Sequence, residues 1–226
     1  MVKKILIIGR GSISSKHTLA LKLISKKFEI TNLSSRKFNN NYAKQKFFDV
    51  IVICSPSSYH YKHLQIVEQN FKNIKVLIEK PLFDKFYKIK VKMKNQYFVG
   101  YNLRYHPVIK YLKKKISNKK IFSINIISHS FLPSWRKKNY TQSVSASKKL
   151  GGGILLELSH ELDYLKWMFK NISILNVFNK KISNLKINTD DVLNISGKIG
   201  KNTFFNLNSN FFSKINIRSI KIDGIN

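Results

Sequence analysis

Glu157, His160 and Asp163 follow three consecutive glycines, Gly151 to Gly153, in a segment whose apolar residues recur at helical spacing. On one helix the offsets i, i+3 and i+6 put neighbouring members on a shared face. A histidine flanked by two carboxylates would there present an acid/base group to a cleft. The glycines would let the backbone approach another group closely. Ile154, Leu155, Leu158, Leu162, Leu165 and Trp167 would give one continuous helix, running to Lys170, a broad buried surface. Taken alone, the same pattern also describes a core helix with a hydrogen-bonded histidine.

Lys80 is the second group suited to proton transfer. It stands in Glu79-Lys80-Pro81, directly after the apolar run 75–78. A lysine at the carboxyl end of a sheet strand, fixed by the following proline, can donate to a substrate hydroxyl or help move its proton. A third candidate edge is Ser55-Pro56-Ser57-Ser58, which follows the buried run 49–54 and leads into a helix with His60 and His63. Ligands bind at such strand ends in open parallel sheets, which makes Ser55, Pro56, Ser57 and His60 candidate cofactor contacts. Both histidines also read as ordinary surface residues of a helix, and their spacing does not make them metal ligands. No metal site is expected.

The elements that would position these groups begin at the N-terminus. Residues 2–8 form an apolar, β-branched run typical of a central parallel strand. Gly9-Arg10-Gly11-Ser12-Ile13-Ser14 follows, and then a helical stretch over about 15–26. Strand, glycine turn and helix together describe a dinucleotide-binding unit: Gly9 permits the turn, Gly11 lets the backbone reach a pyrophosphate, and Ser12 and Ile13 open a helix whose N-terminus faces its charge. Ser14 occupies the third glycine position. After a second strand over about 28–33, where an acidic residue would hold the ribose of NAD, the chain reads Ser34-Ser35-Arg36-Lys37. Hydroxyls followed by cations suit a 2′-phosphate, so NADP is favoured over NAD; the competing reading is a solvated basic turn. Residues 38–48 are short and polar and leave little room for a full helix and another strand.

Composition narrows the class. The net charge is +31, from 42 Lys and Arg against 11 Asp and Glu. The basic residues are mostly lysine and evenly spread among Asn, Ile and Phe, a pattern of A/T-rich coding more than of a clustered, arginine-rich phosphate footprint. Nucleic-acid binding is therefore disfavoured, while attraction to anionic ligands such as phosphorylated cofactors is retained. The single cysteine, Cys54, forbids an internal disulfide and favours a reducing compartment. No run reaches the roughly 18 apolar residues of a membrane span, so a cytoplasmic protein without membrane partners is expected.

In this order the signals resemble the Gfo/Idh/MocA oxidoreductases, the family of glucose-fructose oxidoreductase and inositol dehydrogenase. The resemblance rests on Gly9-Arg10-Gly11-Ser12-Ile13, Ser55-Pro56-Ser57-Ser58-Tyr59-His60, Glu79-Lys80-Pro81, the stretch from Val99 to Pro107 with Asn102 and Arg104, and Gly151-Gly152-Gly153 with His160-Glu161-Leu162-Asp163. It implies a Rossmann domain with a parallel, doubly wound sheet over 1–100. An α+β substrate and oligomerisation domain with an open, mainly antiparallel sheet would follow over 101–226. It further implies hydride transfer between nicotinamide and a sugar, nucleotide-sugar or polyol carbinol, with Lys80, His160 and Asp163 lining the active site. The family commonly carries an aspartate four residues before the histidine, whereas here Glu157 stands three before it. Glu79, Trp135 and Arg136 join the implied cofactor contacts, and Asn102, Arg104 and Tyr140 join Lys80 and His160 as implied substrate contacts.

Strands of the second domain are expected over 122–129, 172–177, 192–198, 203–208 and 215–223, forming a sheet that also serves contacts in a homo-oligomer. Family members usually run on beyond the point matching Asn226, so the second domain reads as truncated. The alternative function is a catalytically inactive, nucleotide-binding remnant of the same family.

Overall fold

The computed structural model describes residues 2–89, 92, 94–137 and 139–225. Its contacts cluster into two compact units, Met1–Gly100 and Tyr101–Asn226.

In the first unit, β1 (Lys4–Ile8), α1 (Ser12–Ile24), β2 (Glu29–Leu33), α2 (Asn40–Lys44), β3 (Val50–Ile53), α3 (His60–Asn70), β4 (Lys75–Ile78) and β5 (Gln96–Val99) follow in order. The strands form one sheet in the order β2-β1-β3-β4-β5, every pair parallel. Ile5, Leu6, Ile7 and Ile8 are all buried, as a strand covered on both faces requires. One face packs Leu6, Ile8, Ile51, Ile53, Val76 and Ile78 against α3, and the other packs Ile5, Ile7 and Val52 with Leu21 of α1. Residues 38–48 hold only the five-residue α2, capped by the Asn39 side chain, in keeping with the abbreviated connection expected there. Strand β5 was hidden from sequence reasoning because three of its four residues are exposed, the fourth is half-buried, and the preceding segment is lysine-rich.

The second unit comprises α4 (Pro107–Ile116), β6 (Lys120–Phe131), α5 (Ile154–Glu157), α6 (His160–Met168), β7 (Ile172–Lys180), β8 (Val192–Ile199), β9 (Thr203–Asn210) and β10 (Phe212–Ile225). Its sheet runs β10-β6-β9-β8-β7. Three pairs are antiparallel, and one, β6 with β9, is parallel. Ile124 and Ile126 of β6, Leu193 and Ile195 of β8, and Phe205 and Leu207 of β9 project from one face onto Ile154, Leu158, Tyr164 and Leu165. Strand β10 runs from Phe212 through Ile225, longer at both ends than the strand expected over 215–223; Asn226 lies outside the described residues.

The continuous helix expected through 151–170 is two helices. Helix α5 ends at Glu157, Leu158 leaves helical dihedrals at φ −102° and ψ 32°, and α6 begins at His160. The break sends Leu158 into the core. It also removes Glu157 from the helix that carries His160 and Asp163, so the shared face of three residues does not form.

The glycines before α5 are shaped by the chain itself. A Cβ on Gly152 would lie 2.1 Å from the Val144 carbonyl oxygen, and one on Gly153, where φ is +116°, would lie 2.2 Å from an Asp190 carboxylate oxygen. That carboxylate accepts from the Leu155 amide at 3.0 Å, satisfying an unpaired donor at the start of α5. The close approach expected of these glycines is therefore to residues 144–145 and Asp190.

Candidate functional site

The five parallel strands of the first unit end along one edge, and the order reverses between β1 and β3, where open α/β sheets bind ligands. Gly9 follows β1 at φ +136°, and a Cβ there would come within 2.6 Å of the Cys54 carbonyl oxygen at the end of β3. Only glycine closes that turn. A Cβ on Gly11, by contrast, would meet nothing within 4 Å. Gly11 caps α1, and with exposed Ser12 and Ile13 it leaves open ground before the helix N-terminus. Ser14, at the third glycine position, is buried and donates from its hydroxyl to the Gly11 carbonyl at 2.7 Å. The departure from glycine thus braces the turn.

Ser34, Ser35 and Arg36 follow β2 on the same edge, with Arg36 exposed and Ser35 opening a short 3-10 turn. After β3, Ser55 and Ser57 are buried and Pro56 half-buried. His60 and His63 are each 1% exposed, which corrects the surface reading. The Nε2 of His60 lies 2.8 Å from the Ser55 carbonyl, and its Nδ1 lies 3.0 and 3.1 Å from the carbonyls of Pro81 and Leu82. Burial pushes the His60 imidazole below its ordinary range, partly opposed by these carbonyls. The neutral ring has one N–H to donate, and the groups within hydrogen-bonding distance of its nitrogens are backbone carbonyls. His60 therefore joins the Ser55 turn to the segment after Lys80. His63 binds the Ser55 hydroxyl through Nδ1 at 3.0 Å, and burial pushes it down to about 4.

Glu79 and Lys80 follow β4. The Glu79 carboxylate meets His17 Nε2 at 2.6 Å and accepts from the Lys80 amide at 3.2 Å. A Cβ on Gly100 would lie 3.0 Å from it, so the glycine after β5 makes room for the acid. Burial, reinforced by the charge of Glu79, pushes the Cys54 thiol far up, leaving it an inert core residue. The Lys80–Pro81 peptide is cis, and Lys80 is half-buried. His17 escaped sequence reasoning, although its place on the first helix, three residues past Ser14, was a usable signal.

In the second unit the structure gathers Tyr101, Arg104, Ser159, His160 and Asp163. The Arg104 guanidinium donates to both Asp163 oxygens, from Nε at 2.8 Å and Nη2 at 2.5 Å, a paired geometry matched to a carboxylate. Tyr101 stands edge-on to the His160 ring, with centroids 5.7 Å apart, and its hydroxyl is 3.5 Å from Ser159 Oγ. Burial pushes the Tyr101 phenol up, so it stays protonated. Asn102 is exposed beside this cluster in sequence.

Three implied site residues have other partners. Glu157 accepts from the Ser145 hydroxyl at 2.7 Å. The Tyr140 hydroxyl accepts from the Lys186 amide at 3.1 Å, and Trp135 packs edge-on against Phe211, with centroids 5.2 Å apart; Arg136 beside it is exposed. Glu161, fully buried, is the carboxylate that the sequence left unassigned: it pairs with Arg218 Nε at 2.9 Å. Among the described residues no group of three or more His, Cys, Asp or Glu is placed to hold a metal, and no helix is long and apolar enough to cross a membrane.

Neither a protein-family model nor a curated protein sequence matches the chain. Solved structures do. The WlbA dehydrogenase of Bordetella pertussis, in complex with NADH and UDP-GlcNAcA, superposes with a TM-score of 0.84 at 17% identity, over 99% of this chain and 77% of that one. Myo-inositol 2-dehydrogenase of Lactobacillus plantarum gives 0.82 at 16% identity, over 100% and 75%. The fold is that of the Gfo/Idh/MocA oxidoreductases. An oxidoreductase of Thermotoga maritima gives 0.81 at 17% identity over 99% and 76%.

Proposed function

We propose that the chain is a nicotinamide-dependent oxidoreductase, with NADP preferred over NAD, that moves hydride at a carbinol carbon of a sugar, nucleotide sugar or polyol. The observation that carries the reading is the open ground before Gly11 at the N-terminus of α1, on the same strand-end edge as Glu79 and Lys80. Backbone amides and the helix dipole suit a pyrophosphate there, and Ser12 and Ile13 continue the turn. Ser34, Ser35 and Arg36 would hold the adenosine ribose, and the preference for NADP rests on these residues. Neighbours of the same fold support the cofactor class, since one is complexed with NADH and UDP-GlcNAcA and another is named for myo-inositol.

When bound, the nicotinamide supplies the hydride chemistry. The proposal assigns the proton of the substrate hydroxyl to Lys80 and His160. Lys80 is anchored through its amide to Glu79, and the edge of Tyr101 restrains the imidazole of His160. Asp163 acts through Arg104, holding a guanidinium that is 40% exposed and able to meet substrate oxygens together with Asn102. A cytoplasmic location and a homo-oligomer formed through the exposed face of the second sheet complete the proposal.

Titrating the protein with NADPH and NADH while following cofactor fluorescence tests it: saturable binding is expected, tighter for NADPH, and failure of both to bind refutes it. Lys80→Ala should keep cofactor affinity and lose turnover in a screen of sugars, nucleotide sugars and polyols. An unchanged rate would remove Lys80 from the mechanism.

A further inference from the structure

Strands β6 and β10 part company at one place. His129 pairs with Ile217 and Phe131 with Phe212, so one residue of β6, Ser130, faces four of β10, residues 213–216. Bulges of this kind bend a strand away and re-aim side chains. Here β10 bows out over a hollow of about 460 Å³ whose lining includes Ser128, Ser130, Trp135, Leu158, Asn216 and Arg218. That volume falls within the roughly 300–1,000 Å³ of small-molecule sites.

The lining is chemically selective. Ser130 Oγ is buried and has no partner among the described residues, a state that costs about 1–3 kcal/mol unless something binds it. Trp135 supplies an aromatic surface and Asn216 an exposed amide. Arg218 is the one permanently charged side chain of the lining, and fully buried Glu161 faces it at 2.9 Å. The guanidinium is thus neutralised from behind, while its remaining N–H groups can still donate. A phosphate or carboxylate entering the hollow would meet no uncompensated positive charge. An uncharged ring with several hydroxyls would meet hydroxyls, an amide, N–H donors and an indole.

We propose that this hollow is a binding subsite of the second domain for an uncharged polyhydroxylated ring, with Ser130, Asn216 and Arg218 as its hydrogen-bonding residues. In taking that ring to be part of the oxidoreductase substrate, the inference rests on the function proposed above; the location of the subsite does not.

Calorimetric titration of the full chain with myo-inositol, N-acetylglucosamine, glucuronate and inorganic phosphate tests the proposal. At least one neutral probe should bind saturably, and about tenfold or more tighter than either anion. Ser130→Val and Asn216→Ala should each weaken that binding by about fivefold or more, the loss of one hydrogen bond, while NADPH affinity measured by fluorescence stays unchanged. Asn216 is exposed, so its variant keeps the test open if Ser130→Val misfolds. Failure of both neutral probes to bind, preference for an anion, or indifference of binding to both substitutions would overturn the subsite. Intact NADPH binding beside any of these results would leave the cofactor reading standing, whereas loss of NADPH binding with intact polyol binding would do the reverse.

Discussion

His17 on the first helix reaches across the strand ends to Glu79, Nε2 to Oε1 at 2.6 Å, with the acid side chain 14% exposed and the imidazole 23%. One carboxylate thereby ties α1, which carries the glycine turn, to the residue before Lys80, and it also receives the Lys80 amide. This side-chain contact adds to the sheet pairing that holds the glycine turn and Lys80 in register.

Removing that contact should be felt in both stability and binding. His17→Leu leaves a mostly buried carboxylate with a lost donor, which is expected to cost about 1–3 kcal/mol in denaturant unfolding. NADPH affinity should fall with it. His17→Gln keeps an N–H donor and should recover part of both losses. Equal behaviour of the two variants would show that the contact does not position the edge.

Arg36 is exposed and stands two residues past the β2 edge residue Ser34. Replacing it by aspartate exchanges a cation suited to a 2′-phosphate for an acid suited to ribose hydroxyls. Arg36→Asp should weaken NADPH binding by about tenfold or more, the worth of a charge-assisted hydrogen bond, and leave NADH binding equal or tighter. Parallel fluorescence titrations decide it, and a uniform drop for both cofactors would remove Arg36 from cofactor choice.

Gly153→Ala should destabilise the second unit. The substitution forces an L residue to φ +116° and drives its Cβ to 2.2 Å from the Asp190 carboxylate that caps α5. Strain and the displaced cap together are expected to cost roughly 2–3 kcal/mol, visible as a fall in Tm of roughly 5–10 °C. Gly11→Ala, at a position with nothing within 4 Å, should leave Tm nearly unchanged and weaken NADPH binding instead. Comparing the two variants by calorimetry separates a glycine needed by the fold from one that leaves room for a ligand.

That contrast shows where the sequence was legible. The first sheet was readable because each buried strand is a short β-branched run, and because parallel strands put every strand-end motif on one edge whatever the details of packing. The second unit was legible in its strands but not in its site. Helical spacing from Glu157 to Asp163 assumed a continuous helix, and the interruption at Leu158 is driven by tertiary burial that local periodicity does not encode. Likewise the partners of Glu157, Asp163 and Glu161 are Ser145, Arg104 and Arg218, contacts that arise only once the loop, the turn after β5 and strand β10 have docked. His60 and His63 looked like surface residues because a helix beside a sheet edge buries the face that its own sequence makes polar.

The buried histidines also set a pH dependence of stability. His63, pushed down to about 4 by burial, stays neutral in the folded chain where an unfolded histidine, near 6.5, would already be charged. Between these values the unfolded state binds more protons, so stability is fully present above about pH 6.5 and is lost progressively as pH falls towards 4. The difference corresponds to at most about 3.5 kcal/mol from this one group. His60 is shifted in the same direction by burial and adds to the trend. Thermal unfolding followed from pH 7.5 to 4.5 should show Tm falling through this window. In His63→Leu, which cannot titrate there, the slope should be shallower than in the unsubstituted chain. The slope should not vanish, because His60 remains. A His63→Leu profile parallel to that of the unsubstituted chain would mean that the imidazole is already solvated in the folded state, and with it the Ser55 turn that it holds.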